Sequence, residues 1–404
     1  MKIVFNDFPG HAAFADLSRA LGELGYQVLH IYCSNVDSPS GDLSPTRNSR
    51  FLPLSVGGEF PKHRPLARLR AEVRYGLRSG IATRRAAPTV VIVNQMPVVS
   101  LNVMRMMVPD IPLIVWLQDI QSGLARSSPV RGAGMIGYTL GILERRALCS
   151  ANLIMPVAEP MLSSPVLRRV PGERLRGFPN WASPETISPK PKVNPWSELH
   201  GLTDREVVLY TGTLGIKHNH KYLLNLARLL TRTRPWARVV VVSSGEAWEW
   251  LALEANREGL DNLITLPTQP HHVVPDMLGS ADVLLATLLP ETADYSVPSK
   301  VLSYLCAGRP VVALVPDNNP VADLINNDAQ AGLATPDDRE LDRFILSLLA
   351  DRGAAETYGQ SGRTYAEANF DLVDVAHQIA QLANTVVTEA EDPDHTMAST
   401  NLGS

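Results

Sequence analysis

Short, nearly unbroken apolar runs alternate along the chain with longer stretches in which apolar residues recur every three or four positions. The first half carries KIVFND (2–7), QVLHIYC (27–33), TVVIVNQ (89–95), PLIVWLQD (112–119) and NLIMPV (152–157). Because these runs are continuous, they predict strands covered on both faces, as in a parallel sheet between helical layers. The pattern breaks at a Pro- and polar-rich segment, NWASPETISPKPKVNPWSELHG (180–201), which reads as an interdomain linker. It restarts with EVVLYTG (206–212), ARVVVVSSG (237–245), NLITLP (262–267), DVLLATL (282–288) and PVVALV (310–315). The expectation is two doubly wound sheets in tandem, with ligands at the carboxyl ends of their strands.

Composition narrows the class. A chain of 404 residues suffices for two cores, and 45% hydrophobic with 19% charged residues argues against a disordered chain. Cys33, Cys149 and Cys306 are far apart and odd in number. That predicts no disulfide framework and a reducing, cytoplasmic setting. The chain runs straight into its first strand, so no signal peptide is expected. The longest apolar run, 98–117, is interrupted by Arg105, Pro109 and Asp110, so a membrane-spanning helix is not expected either.

The net charge of −4 hides an asymmetry: residues 1–185 hold 21 basic and 13 acidic side chains, the remainder 16 and 28. A basic first half should meet something anionic. Much of the excess lies in 61–86, where Glu72 is the only acid. There Leu66, Leu69, Val73, Leu77 and Ile81 form an apolar helical stripe, with Arg70, Arg74 and Arg78 recurring beside it. A solvated face of a domain helix would account for this pattern. The functional alternative is peripheral docking on anionic lipid, near a lipid-linked acceptor. Nucleic acid is not expected, since aromatic interleaving is sparse.

Two segments carry candidate chemistry. In LYTGTLGIKHNHKYLLNLARLL (209–230) a strand ends in a tight turn with Gly212 and Gly215, then Lys217, then an amphipathic helix. Glycines let a phosphate approach the backbone and a lysine supplies a point charge, although the same glycines could merely shape a βα turn. In DYSVPSKVLSYLCAGRPVVA (294–313) a loop with Ser296 and Pro298 enters a helix near Ser299, and Gly308 ends it. The free amides at that helix start would form an anion site.

Together with FPNW (178–181), WLQDI (116–120) and VVSSGEAWEWL (241–251), these segments resemble the retaining GT-B glycosyltransferases of family 4, especially the colanic-acid-biosynthesis type. The resemblance covers residues 1–388 and is most specific in the paired C-terminal motifs. It implies an α/β, GT-B fold of two Rossmann-like doubly wound domains facing across a cleft. Residues 1–183 would be the acceptor-binding domain, 184–203 the linker and 204–365 the nucleotide-sugar-binding domain. A helix over 366–388 would return to the N-terminal domain, and 389–404 would be a disordered tail.

The same resemblance assigns residues. Thr213, Gly215 and Lys217 would hold the donor diphosphate, with the backbone of Val297, Pro298, Ser299 and Lys300 and the Ser299 hydroxyl. Ser244, Gly245 and Glu246, with 268–271 including Gln269, would line the nucleoside pocket. Asp119 would contact the donor sugar, and Gly10 and His11 would approach the reacting centre. Many relatives carry two glutamates eight positions apart; here Tyr295 and Ser303 stand there, and Glu291 or Asp294 would take over the first role.

The implied activity is retaining transfer of a sugar from a nucleoside-diphosphate-sugar co-substrate to a lipid-linked or glycan acceptor. Lys217 and the Ser299 helix start would stabilise the departing diphosphate, and His11 is the candidate base. No metal or cofactor is expected: the sole Asp-x-Asp is Asp392-Pro393-Asp394, and no GxGxxG follows the first strand. Two alternatives are a nucleotide-sugar epimerase of the same architecture and a non-catalytic partner of an active transferase.

Overall fold

The computed structural model describes residues 1–36, 42–61, 64–126, 133–215, 217–292 and 296–391. They form two compact units: Met1–Pro179 together with the segment from Leu372 onward, and Asn180–Asp371.

In the first unit, strands β1 (Lys2–Asp7), β2 (Gln27–Cys33), β3 (Ser49–Leu54), β4 (Val90–Asn94), β5 (Leu113–Leu117) and β6 (Leu153–Pro156) form one parallel sheet. Their order is β3-β2-β1-β4-β5-β6. Ile3, Val4, Phe5, Ile31 and Ile92 have no exposure, as expected for strands sandwiched between helices α1 (Ala12–Glu23), α2 (Pro65–Ala86), α3 (Val98–Met107), α4 (Gln121–Arg126) and α5 (Ala133–Cys149). β1 pairs with β2 on one side and β4 on the other. The winding reverses there, which opens a crevice at the carboxyl ends of β1 and β4. β3 was not expected from the sequence: SRFLPL contains Pro53, which only an edge strand tolerates, and β3 is the edge.

Helix α2 gives the two faces expected over 61–86 their sides. Its buried face is Ala71, Glu72, Tyr75, Gly76, Ser79, Gly80 and Thr83. A Cβ on Gly76 would lie 2.7 Å from the Ser100 carbonyl oxygen, and one on Gly80 2.6 Å from Met107 Sδ. Small residues therefore let α2 and α3 cross closely, and the apolar stripe faces outward. Leu66, Leu69, Leu77 and Ile81 are 74, 47, 45 and 41% exposed.

The second unit repeats the plan. Strands β7 (Glu206–Thr211), β8 (Ala237–Ser243), β9 (Leu263–Pro267), β10 (Val283–Thr287), β11 (Val311–Leu314) and β12 (Gly332–Thr335) lie in the order β12-β11-β10-β7-β8-β9. The reversal falls between β7 and β10. The short edge strand β12 was likewise not expected. Helices α6 (Pro195–Leu199), α7 (His220–Thr233), α8 (Glu246–Glu258), α9 (Val274–Gly279), α10 (Lys300–Cys306), α11 (Pro320–Asp323), α12 (Asp338–Ala350) and α13 (Arg352–Asn369) cover the sheet.

The segment 184–203 is not a free spacer. Asn194 caps α6 with a capping box and donates to the Asp276 carbonyl (2.9 Å) and Ser280 Oγ (3.1 Å), while Trp196 is buried. The last helix, α14 (Leu372–Glu391), belongs to the first unit and packs on α1. Beyond Glu391 the expected tail lies outside the described residues, as does Asp392-Pro393-Asp394.

Candidate active site

β7 ends at Thr211, and Gly212 (φ 94°) turns the chain through a conformation that L side chains rarely adopt. Local bonds hold the turn that follows. The Tyr210 hydroxyl donates to the Thr213 carbonyl (3.1 Å), the Gly215 amide to His218 Nδ1 (3.1 Å) and the Asn219 amide to Thr287 Oγ1 (3.1 Å). The Leu289 amide donates to the Lys217 carbonyl at 2.8 Å. Since β7 and β10 are neighbours, these bonds tie the glycine turn to the chain leaving β10.

The decisive contact is between side chains. Lys217 Nζ donates to Ser296 Oγ at 2.6 Å, joining the glycine turn to the Ser-Val-Pro-Ser-Lys loop. Ser296 is itself fixed, its carbonyl accepting from Asn319 Nδ2 at 3.1 Å. Lys300 joins the group: its Nζ lies 3.5 Å above the centre of the Tyr210 ring. Burial above all, with the charge of Lys217 beside it, holds the His218 imidazole well below its ordinary range, so it stays neutral and accepts from Gly215.

The helix start at Ser299 is a weaker device than the sequence implied. α10 has only seven residues, and its Val301 and Leu302 amides already bond to the carbonyls of Pro298 and Ser299, both at 3.1 Å. A short helix with a closed first turn offers a small dipole and few free amides. Ser299 itself is exposed, and its side chain caps nothing. The site therefore rests on side chains more than on a helix terminus.

The other donor-site candidates lie on the same carboxyl edge. Ser244 follows β8, Gly245 (φ 101°) precedes α8, and Glu246 is the first residue of that helix. Gln269 follows β9, accepting from Trp196 Nε1 (3.3 Å) and donating to the Pro267 carbonyl (2.8 Å). Glu291 is exposed in a single turn over Pro290–Thr292, and Ser303 is half-buried on α10. Asp294 and Tyr295 lie outside the described residues.

A second cluster occupies the β1–β4 crevice of the first unit. The Asp7 carboxylate, wholly buried, accepts from the His11 amide (2.5 Å) and from Asn94 Nδ2 (2.9 Å), and meets His11 Nδ1 at 3.3 Å. An ionised carboxylate can only accept, so Nδ1 carries the proton and Nε2 is the nitrogen left to chemistry. Gly10 (φ 73°) permits the return of the chain, and Gln95 adopts a left-handed φ of 49° that non-glycine residues rarely take. Gln95 Nε2 reaches Asp119 Oδ2 at 3.4 Å. Burial opposes charge on His11, but Asp7 and then Asp119 outweigh it and raise the imidazole above its ordinary value. For Asp7 burial is likewise overcome, chiefly by His11, and the carboxyl is lowered.

Asp7, Asn94 and Gln95 were missed by sequence reasoning, because an Asp or Asn at a strand end has no local signature. Knowledge that β1 and β4 are adjacent would have found them. Of the basic candidates, Arg74 donates to the Val56 carbonyl (2.6 Å) and Arg78 to that of Ser55, while Arg70 lines a shallow pocket with Gly57 and Glu59. Among the described residues no three His, Cys, Asp or Glu side chains gather as they would around a metal ion. No helix there is long and apolar enough to cross a membrane.

Residues 205–351 match the family described as Glycosyl transferases group 1. This group 1 match spans the glycine turn, Lys217 and the whole of α10. The chain is 22% identical over 263 residues to the protein described as the colanic acid biosynthesis glycosyl transferase WcaI of Escherichia coli (strain K12). That alignment covers 64% of this chain and 63% of WcaI, less than two thirds of the relative. Among solved structures, sucrose-phosphate synthase from Thermosynechococcus elongatus superposes with a TM-score of 0.75 at 16% identity, covering 96% of this chain and 99% of that one. Anabaena Alr3699/HepE, solved with UDP-glucose, gives 0.68 at 16% identity, covering 95% and 100%. These likenesses establish the fold: two Rossmann-like units of six parallel strands, as in GT-B neighbours.

Proposed function

We propose that this chain is a retaining, metal-independent glycosyltransferase that moves a hexosyl group from a nucleoside-diphosphate-sugar to a lipid-linked or glycan acceptor. Its product would belong to a cell-surface polysaccharide or glycoconjugate. The observation that carries this reading is the hydrogen bond from Lys217 to Ser296 at the β7–β10 switch point. The group 1 match over 205–351 and the UDP-glucose complex of HepE support it.

When the glycosidic bond to the diphosphate breaks, negative charge grows on the leaving group. Donors already fixed in place stabilise that charge without reorganising. Lys217 supplies a cation, the Ser296 and Ser299 hydroxyls and the glycine-turn amides supply hydrogen bonds, and Ser244–Glu246 with Gln269 line the nucleoside side. His11, oriented by Asp7, is the group for proton transfer, with Asp119 towards the sugar. The chain would act in the cytoplasm at the inner membrane face, with the outward leucines and arginines of α2 resting on anionic lipid.

Calorimetric titration with UDP-glucose, GDP-mannose and dTDP-glucose tests the donor site. One of them should bind, and Lys217→Ala should weaken it about tenfold or more, the value of a charge-assisted contact to phosphate. Failure of all three to bind the wild-type protein would remove the reading. Mass spectrometry of the product separates the alternatives: an isomer formed from donor alone would make the chain an epimerase.

A further inference from the structure

We propose that the Lys300 side chain is a second cation of the donor site, and that it takes up a proton when a nucleoside diphosphate binds. The inference rests on the donor reading above and deepens it. Lys300 had been assigned through its backbone; the geometry draws attention to its amine.

Lys300 Nζ is buried and has no hydrogen-bond partner among the described residues. An ammonium there would hold three donors, none of them paired, with only the face of Tyr210 for compensation. As a packing residue a lysine is a poor choice; methionine would fill the space without an orphaned polar atom. The amine is close beneath the glycine turn. A Cβ on Gly212 would sit 3.6 Å from Lys300 Cε and 3.8 Å from Nζ, and among the described residues other than its chain neighbours no further atom lies within 4 Å. The bare glycine thus leaves the turn thin between the amine and the place where phosphates would approach.

The groups around the amine explain its state. Among the described residues Tyr210 faces it from β7 and Lys217 and His218 lie by it on the turn, while Tyr304 follows one turn on along its own helix. Burial pushes both tyrosine hydroxyls up, and His218 is held low, so all three are neutral. Burial, and then the like charge of Lys217, press the Lys300 amine well below its ordinary value. A bound diphosphate reverses the second cause: it offsets the charge of Lys217 and adds attraction for a cation. The neutral amine then accepts a proton from solvent, and no other bond changes. The empty site avoids placing two full positive charges together, and the occupied one has both.

Calorimetry of the intact protein in buffers of different ionisation enthalpy, at mildly alkaline pH, reads the proton directly. UDP-glucose, GDP-mannose and dTDP-glucose are suitable probes because their esterified phosphates have no proton to exchange there. Expected is an uptake approaching one proton per bound ligand, with affinity falling up to about tenfold per pH unit as pH rises. Lys300→Met should abolish the uptake and weaken binding about tenfold at neutral pH, without lowering the melting temperature. Buffer-independent heats with normal binding would overturn the proposal alone, as would uptake that persists in Lys300→Met. Absence of binding by all three probes would overturn the donor reading and this proposal with it. The wild-type pH slope decides the matter even if the variant fails to fold.

Discussion

A single buried carboxylate organises the first unit's crevice. Asp7 accepts from its neighbour's amide, from Asn94 and from the His11 ring. The pair contributes stability only while Asp7 is ionised and His11 protonated. It is fully present above the unfolded carboxyl value and below the unfolded imidazole value. It is lost as pH rises through the raised value of His11 or falls through the lowered value of Asp7. Asp7→Asn should therefore lower the His11 pKa, and with it the pH at which any His11-dependent rate changes. An NMR titration of the ring that gave the wild-type value in the variant would contradict this account. Lys217 was legible in the sequence because the glycine turn and the lysine are contiguous. Asp7 was not, because its partner Asn94 comes from a strand that becomes its neighbour only on folding.

Among the elements, the strands buried on both faces were legible because short continuous apolar runs recur between longer stretches of helical periodicity, the pattern of a covered parallel sheet. The edges β3 and β12 were not, since a strand bonded on one side tolerates Pro53 or shrinks to four residues. Helix α2 was half legible. Periodicity revealed two faces but assigned the apolar one to neither side, because the burial of Gly76 and Gly80 depends on the close approach of α3. With leucines outward among arginines, α2 has the composition of an interfacial helix. Replacing Leu66, Leu69, Leu77 and Ile81 together by Ser should reduce sedimentation with phosphatidylglycerol vesicles by tenfold or more. A burial of apolar side chains in lipid at about 25 cal/mol per Å2 would produce at least that. The melting temperature should change little, since these residues are already exposed. Equal cosedimentation of variant and wild type would leave α2 as a solvated face.

At the scale of the molecule, the chain leaves its first unit at Pro179 and returns to it at Leu372. The composition of 184–203 marked a break near the first crossing. It could not show that Asn194 bonds to Asp276 and Ser280, because those partners come more than eighty residues later. The return crossing determines what a truncation does. α14 buries Val375, Ala376, Ile379, Ala380, Leu382, Ala383 and Val386, packs on α1, and donates from Asn384 to the Tyr26 hydroxyl at 3.2 Å. Ending the chain after Asp371 removes that face from the first unit. The first unit should lose several kcal/mol, on the order of two or three large-to-small core substitutions. Hydrogen exchange followed by mass spectrometry should then show protection falling across β1, β2 and α1 and holding across β7, β8 and α7. Binding of a nucleotide sugar, whose diphosphate and nucleoside contacts the proposal above places in the second unit, should survive the cut. Uniform loss of protection in both sheets would mean that the two units do not fold independently and that the donor site needs the first unit to hold its shape.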